Sequence, residues 1–154
     1  MDEDEYRATY RLVNEQRCVF EKAINSRICG CEKARRFNLA DREGVACSLP
    51  AGNELCRALL DQLRSNARFA LHLTRVEGPL PHSKEIRVQN GGLFGLQKVV
   101  DPEAGDLGRI PNIYGVAVKA VTRYGGLDRL PYPQIMQSIL AYQGRRRPPR
   151  KGGA

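Results

Sequence analysis

The chain of 154 residues lacks any long hydrophobic run. No segment approaches the roughly 18 consecutive apolar residues of a membrane-spanning helix, so we expect no membrane span. Four of the first five residues are acidic where a secretory signal peptide would be basic, and no apolar run follows them. We therefore expect a cytoplasmic protein, in a compartment that keeps thiols reduced.

Histidine is scarce, since His72 and His82 are the two in the whole chain. A nucleophilic thiol needs a nearby base, and both histidines lie outside the stretch that holds the cysteines. The chain also lacks the Gly-Lys-Ser/Thr of a phosphate-binding loop and the helix motif of a metalloprotease. We therefore do not expect the chain to be catalytic on its own.

Cysteine is absent after residue 56, and all five cysteines lie between residues 18 and 56. An odd number of thiols leaves one over from any set of disulfides, and reduced thiols in a cluster favour metal binding. We predict a metal–thiolate site in this stretch. The predicted ligands are Cys29, Cys31, Cys47 and Cys56, with Cys18 as the alternate ligand.

The cysteine spacing lacks the Cys-x-x-Cys pairs that are typical of zinc knuckles. Ten, one, fifteen and eight residues separate successive cysteines. Such irregular spacing is more typical of iron–sulfur proteins, in which thiolates reach one cluster from different elements. We favour an iron–sulfur cluster, of the 4Fe–4S kind, and keep zinc as the alternative cofactor.

Two local features support the predicted ligands. Gly30 can adopt positive φ, which would let the thiolates of Cys29 and Cys31 converge on one centre. Cys47 and Cys56 flank the start of a predicted helix, where the positive end of the helix dipole lowers thiol pKa values.

Cys18 is the doubtful member of the set. Apolar residues at helical spacing predict one helix over residues 6–25, and Cys18 lies about 120° around it from the apolar face. A thiol at this position could point away from the apolar face toward a metal cluster, and it could equally be an exposed thiol with no role.

The hydrophobic periodicity predicts a mainly α fold, a small helical domain with a Cys-rich metal-binding N-terminal half. Alternating segments predict a short β-hairpin at about 71–89, before a C-terminal helical hairpin. The other predicted helices are a short polar one over Glu32–Glu43, one over Leu55–Leu71 and a short one over Leu93–Val100.

The domain organisation that we predict is a single domain over residues 1–144. Its two halves are a Cys-rich helical half, 6–71, and a second helical half, 91–143. Residues 145–154 form a predicted basic disordered tail. The net charge of +8 would favour nucleic-acid binding, but five of these eight charges lie in the tail. The rest of the chain has a net charge of only +3, which weakens that interpretation. The residues predicted to dock a polyanion or an acidic partner are Arg145, Arg146, Arg147, Arg150 and Lys151.

Four functional hypotheses follow from the sequence. The leading one is a small iron–sulfur protein that acts as an electron-transfer or accessory subunit of a larger redox complex. The second is a cluster-bearing or zinc-containing regulator that binds nucleic acid through the tail and through Arg35 and Arg36. The third is a zinc-stabilised interaction domain, and the last is a thiol enzyme.

Overall fold

The computed structural model describes residues 2–72, 80–104 and 108–143. In these ranges the protein is mainly helical, as predicted, and carries one two-stranded antiparallel sheet. No helix of these ranges is long and apolar enough to cross a membrane. The elements are α1 (Glu3–Val13), α2 (Glu21–Asn25), β1 (Ala34–Leu39), β2 (Arg42–Cys47), α3 (Pro50–Ala70), α4 (His82–Val100), α5 (Ile113–Tyr124) and α6 (Tyr132–Ala141).

The single helix predicted over residues 6–25 is wrong, because the chain forms α1 and α2 with an extended segment between them. The segment pairs with β2: Cys18 N donates to Val45 O at 2.9 Å, and Cys47 N donates to Gln16 O at 2.8 Å. Backbone groups bonded to a strand cannot also continue a helix. Asn14, which caps the end of α1, donates its side-chain amide to Val45 O at 3.1 Å.

The sheet lies where a polar helix was predicted over Glu32–Glu43. β1 pairs with β2 from Ala34↔Cys47 to Leu39↔Arg42. The two residues of the connecting turn have φ values of 49° and 66°, the left-handed conformation that tight hairpins need. The prediction of a polar helix is therefore wrong.

The hairpin predicted at about 71–89 is also wrong where the structure describes that region. Residues 82–89 belong to α4, which begins well before the short helix predicted over Leu93–Val100. Residues 73–79 lie outside the described residues.

The remaining predicted helices are present, although α3 begins at Pro50 and so extends further than the predicted Leu55–Leu71. Pro50 is the first residue of α3, a position that suits proline because its missing N–H would have no partner there. Asn112 precedes α5, and Gly125 ends it with a φ of 84°. From the apolar residues of the last helix, Ile135, Met136, Ile139 and Leu140 are predicted to face inward; the first three do, whereas Leu140 is 48% exposed.

Helix α4 lies at the centre of the packing. It contacts α2, α3, α5 and, most extensively, α6. The predicted C-terminal helical hairpin packs on the rest of the fold as expected, since α5 and α6 contact α3 and α4, but the two helices pack little against each other. One core cluster contains residues of both halves of the chain, among them Phe20, Leu63, Leu93, Ile113 and Ile139.

Gly95 allows α4 and α6 to approach closely. A Cβ at this position would lie 2.8 Å from Ile135 O and 2.9 Å from Ile135 Cα, and backbone atoms cannot move aside cheaply.

We expect Gly95→Ala to lower the free energy of unfolding by roughly 1–3 kcal/mol, measured by urea denaturation. Lys98→Ala, on the exposed side of the same helix, is the control and should change it by less than about 0.5 kcal/mol. Equal stability of Gly95→Ala and the wild type would contradict the packing described.

Candidate metal centre

Four of the five cysteines line one small cavity. They are Cys18, Cys31, Cys47 and Cys56, and each is partly buried and unpaired by any disulfide. They come from four segments: the extended stretch before α2, the turn before β1, the end of β2 and the second turn of α3. The rest of the wall is mostly apolar or aromatic and includes Val19, Phe20, Ala34, Ile113 and Tyr114.

Backbone pairing places Cys18 and Cys47 side by side. Arg17 and Ala46 form an antiparallel bridge, so the residues that flank this pair project to the opposite face. Cys18 and Cys47 are diagonal neighbours on that face, a relation that separates Cα atoms by roughly 7–8 Å. Asn53 of α3 also bonds this segment, because its side-chain amide donates to Arg17 O at 2.8 Å.

A second pairing fixes the segment that carries Cys31. Gly30 N donates to Ile110 O at 2.8 Å, and Ile113 N donates to Gly30 O at 2.9 Å. Gly30 is not among the described glycines with positive φ, so the predicted left-handed turn is wrong. A Cβ at Gly30 would lie 3.2 Å from Pro111 O, so the glycine serves the close approach of two backbones.

Cys29 lies apart from the other four thiols. It is 5% exposed, belongs to the core cluster and has its Sγ 3.6 Å from Asn90 Oδ1. The structure therefore brings three of the predicted ligands together with the alternate, Cys18, and places Cys29 elsewhere. Ligation itself stays a prediction for every one of these residues.

Burial sets the protonation of these thiols. It raises the pKa of Cys18 and of Cys56 to about 12, and the neighbouring thiols of the cavity add to the rise. Burial also raises the pKa of Cys29 to about 12. The lowering expected at the start of α3 is therefore wrong for Cys56, since desolvation outweighs the helix dipole there.

The thiols surround little free space. The cavity volume is about 20 Å³, room for about one water molecule. In the described parts of the chain, no three His, Cys, Asp or Glu side chains are grouped closely enough to hold a metal ion as they stand. A metal would therefore have to draw the thiols inward or spread them around a larger group.

The predicted basic positions are divided between the described and undescribed parts of the chain. Arg36 of β1 donates to Ile24 O at 2.8 Å and lies near Glu43, while Lys33 lies over the Tyr114 ring at 5.7 Å beside the cavity. The docking residues Arg145, Arg146, Arg147, Arg150 and Lys151 lie outside the described residues.

Comparisons of the chain with protein-family models, with curated proteins and with solved structures gave no match. The arrangement of the thiols is therefore the basis on which a function can be proposed.

The raised thiol pKa values predict how the metal-free, reduced protein responds to pH. Because the fold favours the neutral thiols of Cys18, Cys29 and Cys56, their contribution to stability is complete below the ordinary thiol pKa of 9.0. It is lost as the pH rises from there toward about 12. Urea unfolding measured from neutral to strongly alkaline pH should show this fall.

The double variant Cys18→Ala/Cys56→Ala serves as the control for that experiment. Burial also raises the pKa of Tyr132 to about 12, and this residue titrates alike in both proteins. We expect a shallower alkaline loss of stability in the variant, since two of the three buried thiols are gone. Identical pH profiles would show that these thiols are not buried as described.

Proposed function

We propose that the protein is a small metal–thiolate protein that carries an iron–sulfur cluster on Cys18, Cys31, Cys47 and Cys56. It would serve as an electron-transfer or accessory subunit of a larger redox complex. The observation that carries this proposal is the meeting of four thiols from four chain segments in one apolar cavity. Cys18 replaces Cys29 in the ligand set because Cys29 lies in the core beside Asn90.

The surroundings of the four thiols support a soft metal centre. Thiolates select iron–sulfur clusters, zinc and copper(I), whereas the hard cations prefer oxygen ligands. The cavity wall is mostly apolar, and such a wall keeps water from the thiolates and influences the reduction potential of a cluster. Lys33 lies in the same wall, where its positive charge would offset part of the negative charge of four thiolates.

The spacing of the thiols favours a cluster over a single ion. Zinc bonds sulfur at about 2.3 Å, so four ligands of one zinc must lie close together. The described thiols do not form such a group as they stand. A cluster bonds its thiolates through different irons and so accepts ligands from more widely separated positions.

Zinc remains the second candidate because of the size of the cavity. A volume of about 20 Å³ receives a single ion with less displacement of the wall than a cluster requires. Four thiolates with no open coordination position would make such a zinc site structural, as in a zinc-stabilised interaction or regulatory domain.

An accessory role fits the residues around the thiols. Neither histidine lines the thiol cavity, and His82 lies 3.1 Å through its Nδ1 from Nζ of Lys22, which is also outside that lining. Electron transfer needs no substrate pocket at the centre, whereas catalysis would need a base and an open site. The tail arginines and Lys151 would dock an acidic surface of the partner.

Purification without oxygen, followed by an absorption spectrum and analysis for iron, sulfide and zinc, tests the cofactor. We expect a brown protein with about four iron and four sulfide per chain. Colourless protein with stoichiometric zinc would establish the second candidate instead. Protein that binds neither metal would contradict both.

Serine substitutions test the ligand set, with metal content per folded chain as the measurement. We expect Cys18→Ser and Cys31→Ser to lose most of the metal, because serine replaces a thiolate by a harder and less acidic ligand. Cys29→Ser is the matched control and should retain it, since a hydroxyl can also donate to Asn90 Oδ1. If Cys18→Ser retained all of its metal and Cys29→Ser lost it, Cys29 and not Cys18 would be the fourth ligand.

A further inference from the structure

A second cavity lies next to the thiol cavity, and the two share Cys18 and Val19 in their walls. Its volume is about 390 Å³, which is in the range of sites for small ligands. Residues of α2, α3 and α4 line it, and many of its side chains are charged.

The carboxylates of this cavity are mostly neutralised by arginine. Glu85 is 1% exposed and bonds Arg64 through both of its oxygens, and Glu21 bonds Arg17 through one oxygen. A third carboxylate, Asp61, lies 3.9 Å from Arg64 at the exposed rim. These pairs leave little negative charge inside the cavity to repel an anion.

Two cations of the cavity have neutral partners instead. Arg57 of α3 donates to Asn53 Oδ1 at 3.1 Å, and Lys22 of α2 lies 3.1 Å from His82 Nδ1. Across the described part of the chain, neither of them forms an ion pair with a carboxylate. They stand on different helices, and both line the same cavity.

We propose that this cavity binds a small oxyanion, a carboxylate or a phosphate, between Lys22 and Arg57. Guanidinium and ammonium groups form their strongest hydrogen bonds with such oxygens. The site goes beyond the proposed metal centre and does not require it. Because Cys18 belongs to both walls, a bound anion would lie beside the segment that carries this thiol.

Calorimetric titration of the full-length protein with inorganic phosphate and, separately, with citrate tests this site, with sodium chloride at equal ionic strength as the reference. We expect saturable binding of at least one of the two, and the stronger identifies the oxyanion class. Arg57→Gln and Lys22→Gln should each weaken it about tenfold. Arg68→Gln is the matched control, because Arg68 is exposed on the same helix and does not line the cavity.

Binding no stronger than that of chloride, or equal weakening in Arg57→Gln and Arg68→Gln, would overturn the site. Metal content measured in the same samples separates this result from the proposed function. Metal-free protein with saturable oxyanion binding contradicts the metal centre alone, and metal-loaded protein without such binding contradicts the oxyanion site alone.

Discussion

The carboxylate of Glu21 is the interaction on which the thiol cavity most depends. It accepts hydrogen bonds from Val45 N at 2.8 Å, from Arg17 Nη2 at 2.6 Å and from the Tyr10 hydroxyl. Glu21 is 7% exposed, so these donors would lose a buried partner if the carboxylate were removed. The Arg17 side chain is 59% exposed, so its ion pair contributes only about 0–1 kcal/mol. Leaving a buried donor such as Val45 N or the Tyr10 hydroxyl without its partner costs roughly 1–3 kcal/mol.

Glu21 holds the segment before α2 against β2, and this backbone pairing brings Cys18 to Cys47 without any metal. The pairing of Gly30 with Ile110 adds the segment of Cys31 in the same way. The fold thus brings four thiols to one cavity. Under the proposed function, a bound metal would have to draw them into a closed site. Since burial favours the neutral thiols of Cys18 and Cys56, a metal bound there would have to displace their protons, and this step would reduce its net binding free energy.

The sequence correctly predicted the features that depend on interactions between neighbouring residues, chiefly helices and their ends. The apolar stripe of α3 correctly indicated a helix and its end near residue 70, and Gly125 correctly marked the end of α5, because periodicity and φ preference act within a few residues. The hairpin was missed because its turn is Ala40–Asp41, which lacks the Asn-Gly or Asp-Gly signal. The predicted position of Cys18 assumed a continuous helix over residues 6–25, which does not form. The pairing of Arg17 with Ala46 places Cys18 instead, and such a long-range contact leaves no pattern in the local sequence. The sequence spacing predicted Cys29 as a metal ligand, whereas in the folded protein its side chain belongs to the hydrophobic core cluster.

The central claim is that four thiols form one metal-dependent unit and that Cys29 stands outside it. Alkylation of the native protein before and after metal removal, mapped by peptide mass spectrometry, tests this claim most directly. We predict that Cys18, Cys31, Cys47 and Cys56 are protected with metal and that all four gain reactivity once it is removed. Cys18 and Cys56 should react more slowly than the other two, because burial raises their pKa values to about 12. Cys29, which is 5% exposed, should stay slow in both states. Reactivity of the four that is unchanged by metal removal, or protection that includes Cys29 in place of Cys18, would contradict the account.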